Sequence, residues 1–264
     1  MARRAGAEIY FLGAVGDDLF GNSIAENFTA EGIDISLLHF SEIATGVAHI
    51  WVDGAGENRI LIVPGANSSM NPDLVAQEIS DIADLGIVIA QCEIPQEVTL
   101  AAFKAAKARG AITLLNPAPY QPLSPEILEL TDWLIPNEIE FSQLHPLLSN
   151  RQESTAGEIT SDELLGSLRP GRSGIVTLGA EGAALIHPSG KIERIATEHT
   201  TVIDSTGAGD GFIGAFAAAL LRGLSPRQAV EFGCRIASLT VTRKGAQSSY
   251  PSVDEISKIL EEIH

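Results

Sequence analysis

The sequence is poor in cysteine and in positive charge. It contains two cysteines among 264 residues, Cys92 and Cys234, which form neither a disulfide framework nor a metal-ligand spacing. We expect both to pack as small apolar side chains in a reducing, cytoplasmic setting. Seventeen Lys and Arg residues against 34 Asp and Glu give a formal net charge of −17. That balance argues against a surface for nucleic acid or an anionic membrane.

Long apolar runs are also lacking. The most apolar segment near the start, residues 9–15, contains Gly13 and ends in Gly-Asp-Asp. It predicts a strand and excludes a signal peptide or membrane span. A chain of 264 residues that is 45% hydrophobic can bury one large α/β core or two modest ones.

Short apolar runs alternate with helical patterns along most of the chain. Strands are predicted at residues 9–15, 87–91, 112–115, 133–135 and 174–178, followed by two more around residues 188–190. Helices are predicted at residues 23–31, 72–83, 96–109, 138–144, 161–168, 209–222, 226–242 and 253–263. This order predicts an α/β fold in three αβα layers, with a mostly parallel sheet whose strands end at a ligand site.

Two segments depart from the alternation. Residues 46–52 and 59–63 are rich in β-forming residues and flank Asp-Gly-Ala-Gly, which predicts a hairpin. We interpret it as a small β lid around residues 40–65 on a single domain spanning residues 1–264. Residues 149–160 are polar and predict a surface loop.

The segment with the strongest chemical signal is residues 203–212, with the sequence Ile-Asp-Ser-Thr-Gly-Ala-Gly-Asp-Gly-Phe. Small residues let the backbone approach a ligand closely, and a predicted helix follows at once. Free amides and the helix dipole make such a helix start an anion site. Asp210 would compete with a bound phosphate unless it accepts a proton from an attacking hydroxyl. The alternative is a tight turn in which the Asp caps the helix.

Polar residues also follow four predicted strands, and each has a structural alternative. Glu93 could accept hydrogen bonds from two hydroxyls at once or sit at a helix N-terminus. Asn116-Pro-Ala-Pro could form a rigid turn at the end of its strand. Asn137 and Glu140 could orient hydrated Mg²⁺ or cap a helix. The glycines at residues 177–182 could let the backbone approach a ligand, or the segment could be an ordinary hairpin turn.

Together these segments resemble the ribokinase family of carbohydrate kinases, also called the phosphofructokinase-B family. The string at residues 203–212 resembles its C-terminal signature, and Asn137 with Glu140 resembles its Asn-x-x-Glu motif. Residues 242–247, Thr-Arg-Lys-Gly-Ala-Gln, resemble the loop of the family that wraps a monovalent cation. The resemblance runs over nearly the whole chain and implies a ribokinase-like fold.

The resemblance implies a role for each matching residue. Asp210 would be the catalytic base and would also bind sugar with Glu93, and the amides of Gly207, Ala208 and Gly209 would hold the transferring phosphoryl group. Asn137 and Glu140 would lie in the Mg²⁺ region, and the Asn116-Pro segment would lie near the phosphate and the metal. ATP would contact Asn137, Thr177, Leu178, Gly179, Ala180, Glu181, Gly182, Gly209, Asp210 and Cys234. An activating K⁺ would be held by Asp204, Thr206, Thr240, Arg243, Gly245 and Ser249.

The resemblance implies ATP-dependent phosphorylation of a sugar primary hydroxyl, with D-ribose favoured. The alternative within the family is a different phosphoryl acceptor, either another sugar, as in a fructokinase, or a nucleoside. Members carry about fifty further N-terminal residues with a sugar-binding motif, whereas residues 2–7 here resemble the end of the helix after that motif. A truncated, nucleotide-binding non-enzyme is therefore the alternative from another class. The expected partners are sugar and ATP, with a homodimer formed through the β lid.

Overall fold

A six-stranded sheet lies at the centre of the computed structural model, which describes residues 1–52, 58–148 and 173–263. Its strands, in chain order, are β5 (Ile87–Ala90), β6 (Ile112–Leu115), β7 (Trp133–Leu134), β8 (Ser173–Thr177), β9 (Ala183–Ile186) and β10 (Ile192–Ile195). β5 to β8 are parallel neighbours, whereas β9 and β10 are added by antiparallel pairing. The predicted mostly parallel sheet is confirmed.

Within the described ranges, eight α-helices accompany the strands. They are α1 (Leu19–Ala30), α2 (Pro72–Asp81), α3 (Gln96–Ala108), α4 (Pro125–Leu130), α5 (Glu138–Leu148), α6 (Ala208–Leu221), α7 (Pro226–Thr240) and α8 (Val253–Ile263). Several begin at sequence signals. Asn71 caps α2 in front of Pro72, and Ser225 with Gln228 forms a reciprocal capping box at α7. The helix predicted at residues 161–168, the loop predicted at 149–160 and the hairpin turn at 53–57 lie outside the described residues.

Alternate residues of each central strand enter different apolar cores. Leu115 and Val176 pack with α2, α3 and α5 on one face of the sheet, while Leu114 and Ile175 pack with α6, α7 and α8 on the other. A period of two is what a strand buried on both faces requires. Helices therefore cover the sheet on both sides, which confirms the predicted three-layer αβα fold.

The direction of α6 decides where its first turn lies. A Cβ on Gly86, the residue before β5, would lie 2.5 Å from Cδ2 of Leu221 at the end of α6. The end of the helix is thus at the amino edge of the parallel strands. A helix of 14 residues is about 20 Å long, so its first turn reaches the carboxyl edge of the sheet.

A smaller unit precedes the central sheet. β1 (Gly13–Gly16) pairs in parallel with β2 (Leu38–Ser41), a strand that the sequence pattern did not reveal. β1 is shorter than the strand predicted at residues 9–15, and before it Tyr10 makes only an isolated bridge to Asp34. β3 (Val47–Val52) and β4 (Asn58–Val63) form the predicted antiparallel pair.

The described helices include none that is both long and apolar enough to cross a bilayer.

Candidate active site

Polar residues from four neighbouring strands meet at the carboxyl edge of the sheet. Glu93 lies in the turn after β5, Asn116 follows β6, Asn137 follows β7, and Thr177 ends β8. Parallel strands bring their carboxyl ends to one edge, and the first turn of α6 reaches the same edge. The order of the strands thus assembles segments that are far apart in the sequence.

The first turn of α6 begins at Gly207, whose φ of 79° is left-handed. A Cβ there would lie 3.1 Å from Cα of Ala246, so both backbone conformation and space favour glycine. The amide of Ala208 already donates to the Ser205 carbonyl at 3.2 Å. The amides of Gly207, Gly209 and Asp210 have no hydrogen-bond partner in the part of the chain that the structure describes. Free donors at a helix start are the arrangement that binds anions, and the predicted role of the Gly207, Ala208 and Gly209 amides stays a prediction.

Gly209 faces open space. Its backbone is helical, and among the described residues no atom outside its own helix backbone and its two chain neighbours lies within 4 Å of the point where a Cβ would be. Glycine is therefore not required here by the fold. A ligand that approaches the backbone closely would require it.

Asp210 lies in the same turn. The residue is exposed, yet the protein around its carboxylate removes enough water to raise its pKa. The amino group of Met1 lies near enough to oppose that rise. The ring of Tyr250 packs against the next residue, Gly211, with 3.2 Å between Cε1 and the position of a Cβ. A carboxyl group with a raised pKa beside free amides can act as a base for a hydroxyl.

Asp204 joins this turn to the loop after α7. Its Oδ2 accepts from the amide of Gly245 at 2.8 Å and its Oδ1 from the amide of Thr206 at 3.0 Å. The Gly245 amide first, and then the side chain and the amide of Thr206, lower the pKa of Asp204 to about 2. The carboxylate is therefore ionised at neutral pH and fixes two segments of the predicted cation site against each other.

The other predicted cation residues present backbone oxygens more readily than side chains. The guanidinium of Arg243 pairs with Glu255, the hydroxyl of Thr240 donates to the Ile236 carbonyl at 2.8 Å, and the hydroxyl of Ser249 donates to that of Ala246. Gly245 and Thr206 lie beside Asp204 through the bonds described above. All six predicted cation residues thus belong either to the turn that contains Asp204 or to the segment at residues 240–249, and Asp204 joins the two.

The Asn-x-x-Glu segment forms a capping box at the start of α5. The Asn137 amide donates to Oε2 of Glu140 at 2.9 Å, and the Glu140 amide donates to Oδ1 of Asn137 at 2.8 Å. Burial raises the pKa of Glu140, and the bond from Asn137 opposes the rise. Its Oε1 has no hydrogen-bond partner among the described residues. The capping alternative is therefore realised, and one carboxylate oxygen is left for a hydrated cation.

The turn after β8 lies beside Asn137. Thr177 makes a parallel bridge to Asn137, and the Leu178 amide donates to the Gly182 carbonyl at 2.8 Å. Gly182 has a φ of 90°, and a Cβ there would lie 2.1 Å from the Ile195 carbonyl oxygen. Gly179 has a φ of 54° and no neighbour within 4 Å. Gly182 is thus explained by packing, whereas Gly179 leaves room for a ligand. Ala180 and Glu181 complete the exposed turn.

Glu93 and Cys234 differ from each other in accessibility. Glu93 is exposed in its turn. Cys234 is 4% exposed within the apolar core on the α6 side of the sheet, and burial raises its pKa to about 12. Its thiol therefore packs among apolar side chains, and only its backbone could approach a nucleotide.

The structure gives Asn116 a structural role and adds Tyr250, which sequence reasoning missed. Asn116 donates from Nδ2 to the Ile135 carbonyl at 2.8 Å and so ties the ends of β6 and β7 together, which is a structural role. Tyr250 lies beside Asp210, and burial together with the Asp210 charge raises its pKa to about 12. No local pattern links residue 250 to residue 210, because they meet only through tertiary packing.

Known proteins resemble this chain over nearly its full length. The sequence pattern of the pfkB family carbohydrate kinases matches residues 1–253. Ribokinase of Haemophilus influenzae is 36% identical, over 98% of this chain and 84% of its own length. The crystal structure of ribokinase from Thermotoga maritima is 34% identical with a TM-score of 0.82, covering 98% of this chain and 84% of that one. Arabidopsis thaliana ribokinase, solved with ribose and ATP, is 29% identical with a TM-score of 0.85 and the same coverage.

Proposed function

The chain belongs to the pfkB family of carbohydrate kinases, and we propose that it transfers the γ-phosphoryl group of ATP to the primary hydroxyl of D-ribose, giving ribose 5-phosphate. Ribokinases from several organisms are at least 33% identical to it over nearly all of its length. The observation within the site that carries the proposal is Asp210 beside three free amides at the start of α6.

Asp210 is the proposed base. It takes the proton of the ribose primary hydroxyl while the oxygen attacks the γ-phosphorus and the bond to ADP breaks. The raised pKa of Asp210 makes it a better proton acceptor than an ordinary aspartate. The amides of Gly207, Gly209 and Asp210 point at the oxygens of the transferring group, where negative charge must be held. Glu93 is proposed to accept hydrogen bonds from ribose hydroxyls.

Mg²⁺ bound with ATP would neutralise charge on the phosphates. Asn137 and Glu140 fit this role, because Oε1 of Glu140 has no partner in the described part of the chain while the capping box fixes the direction of the carboxylate. In a chain with a formal net charge of −17, such local neutralisation is needed before a polyphosphate can bind. The turn at residues 177–182 is proposed to line the nucleotide.

A monovalent cation is proposed between the turn at residues 204–206 and the loop at residues 240–249. Asp204 is ionised and shared between the two segments, and carbonyl oxygens of Thr206, Arg243 and Gly245 could complete the shell. K⁺ there would act on the anion turn without contact to sugar, so the expected effect is on turnover.

A coupled assay of ADP release tests the function. The expected result is turnover with D-ribose that exceeds turnover with fructose, other sugars and nucleosides at equal concentration. Preference for a nucleoside or for fructose would contradict the proposed substrate. Binding of ATP, measured by calorimetry, without turnover on any acceptor would instead support a nucleotide-binding non-enzyme. ATP consumption and two free cysteines suit the proposed location in the cytoplasm.

The β lid is proposed to form a homodimer. Leu61, Ile62 and Val63 are consecutive on β4 and 50%, 40% and 47% exposed. Consecutive strand residues point to opposite faces, so apolar surface is open on both sides of a two-stranded sheet, which is marginal by itself. A second copy that covers one face of the lid would bury this apolar surface.

Light scattering should give the dimer mass for the wild type and the monomer mass for Leu61→Asp. A wild type that is monomeric at assay concentration would refute the homodimer.

A further inference from the structure

Arg4 lies outside the proposed site but is held firmly beside it. Its Nε donates to Oε2 of Glu31 at 2.9 Å, and a second guanidinium nitrogen pairs with Oε1 of the same carboxylate. The side chain of Arg4 is 22% exposed. A bidentate pair of this kind fixes the plane of the guanidinium as well as its position.

The remaining nitrogen of Arg4 reaches the far end of the chain. Nη1 donates to the backbone carbonyl of Tyr250 at 3.0 Å. The Tyr250 ring in turn packs on α6, with Cε1 at 3.2 Å and Cδ1 at 3.6 Å from the position of a Cβ on Gly211. Gly211 directly follows Asp210, so the ring contacts the backbone turn that carries the proposed base.

Other contacts hold the same segment to the same turn. Gly245 donates to Asp204 at 2.8 Å, and Ala246 lies against Gly207. Residues 243–250 therefore touch the catalytic turn at Asp204, at Gly207 and at Gly211. Arg4 is bonded to the last of these three contacts.

We propose that Arg4 is a positioning residue for the phosphoryl transfer proposed above. It holds Tyr250 against the first turn of α6 and thereby sets the direction of Asp210 and of the free amides. Arg4 touches no reacting atom and acts only through Tyr250. The inference rests on the proposed function, since it assigns a role within that reaction.

A residue that touches no reacting atom can still have a large effect on the rate, because catalytic geometry tolerates little error. A displacement of about 1 Å can lower a rate by roughly a hundredfold even when the mutated residue is remote. Substrate binding depends on many contacts and is less sensitive to one misplaced carboxylate. Loss of Arg4 should therefore lower kcat much more than it raises either KM.

Arg3 provides a matched control. It is the neighbouring arginine and contacts the same end of α1, where its Nε donates to the Gly32 carbonyl at 2.8 Å. Arg3→Gln and Arg4→Gln remove the same charge from adjacent positions. Thermal unfolding of both variants fixes an assay temperature at which both are fully folded. Should Arg4→Gln fold poorly, Arg4→Lys, which keeps the charge but lacks the planar fork, replaces it.

Steady-state kinetics with ribose and ATP give the first result. We expect Arg4→Gln to lower kcat roughly tenfold or more with both KM values within about twofold, and Arg3→Gln to stay within about twofold in all constants. If the wild type is active and Arg4→Gln has the same kcat, the role of Arg4 is overturned while the proposed function stands. A wild type without sugar-kinase turnover contradicts the proposed function, on which the inference depends.

A double-mutant cycle separates positioning from a general structural effect. In Tyr250→Ala the ring is absent, whereas the carbonyl that Arg4 binds remains. If Arg4 acts through the ring, Arg4→Gln should lower kcat in the wild-type background and change it by less than about twofold in the Tyr250→Ala background. An equal loss of kcat in both backgrounds would overturn the inference.

Discussion

Gly209→Ala is expected to make the protein more stable and less active. Gly209 is the second residue of α6, has helical backbone angles, and meets no atom within 4 Å of a Cβ position. An added methyl group therefore strains nothing in the folded protein. It would, however, occupy the space from which a phosphoryl group must approach the free amides of this turn.

Both effects can be given a magnitude. Replacing an unstrained glycine by alanine stabilises a protein by about 0.4–1 kcal/mol, chiefly by restricting the unfolded chain. For a chain of this length the melting temperature should rise by roughly 1–4 °C. Excluding the phosphoryl group from its amides should lower kcat/KM by roughly a hundredfold, since one anion-hole donor alone is worth about that much.

Calorimetry and the ADP-release assay measure the two effects on the same sample, and Gly207→Ala is the comparison. At Gly207 the φ of 79° and Ala246 at 3.1 Å oppose a side chain. That variant should lose about 1–2 kcal/mol of stability together with activity. A stabilised Gly209→Ala with wild-type activity would refute the placement of the phosphoryl group at this turn.

Three further variants test the remaining roles. Asp210→Asn should retain ATP binding and lose roughly 10²–10⁴-fold in kcat; retained turnover would reject the base. Because burial raises the folded-state pKa of Asp210, its ionisation destabilises the fold as pH rises through that pKa. Asp210→Asn should therefore melt higher than wild type at neutral pH and equally at acidic pH, while wild-type kcat should fall as Asp210 becomes protonated. Gln at position 140 can still cap α5, so the Glu140→Gln variant should keep the wild-type melting temperature and lose activity at limiting Mg²⁺. If its Mg²⁺ dependence equals that of the wild type, Glu140 has only a helix-capping role. Wild-type kcat should be higher in K⁺ than in Na⁺ at equal ionic strength, and Asp204→Asn should abolish the difference; equal wild-type rates would reject the cation site.

Local patterns were sufficient for the central sheet and most helices. The buried strands read as short apolar runs, and the capping residues Asn71 and Ser225 stand where their helices begin. β2 was missed because Leu-His-Phe-Ser is only four residues long, too short a run to indicate a strand by itself, and its pairing with β1 is formed only in the fold. The predicted first strand was too long because residues 9–12 have only one isolated bridge to hold them.

Candidate site residues could be identified from the sequence where one segment contains both a backbone suited to ligand binding and a side chain suited to the chemistry. Residues 203–212 are of that kind, and so are Asn137 and Glu140. The Cys234 thiol lies in the apolar core, as its small apolar character predicted, whereas its contact with nucleotide stays a prediction. Tyr250 and Arg4 could not be found at all, since residues 4, 211 and 250 meet only after folding.

The central claim is that this chain phosphorylates the primary hydroxyl of ribose with Asp210 as base. Phosphorus and carbon NMR of a reaction with ribose, Mg²⁺, K⁺ and ATP tests it most directly, with Asp210→Asn run in parallel. The account predicts ADP and ribose phosphorylated at C5 with the wild type and almost no product with the variant. Phosphorylation at another carbon, no sugar phosphate, or equal product from Asp210→Asn would contradict it.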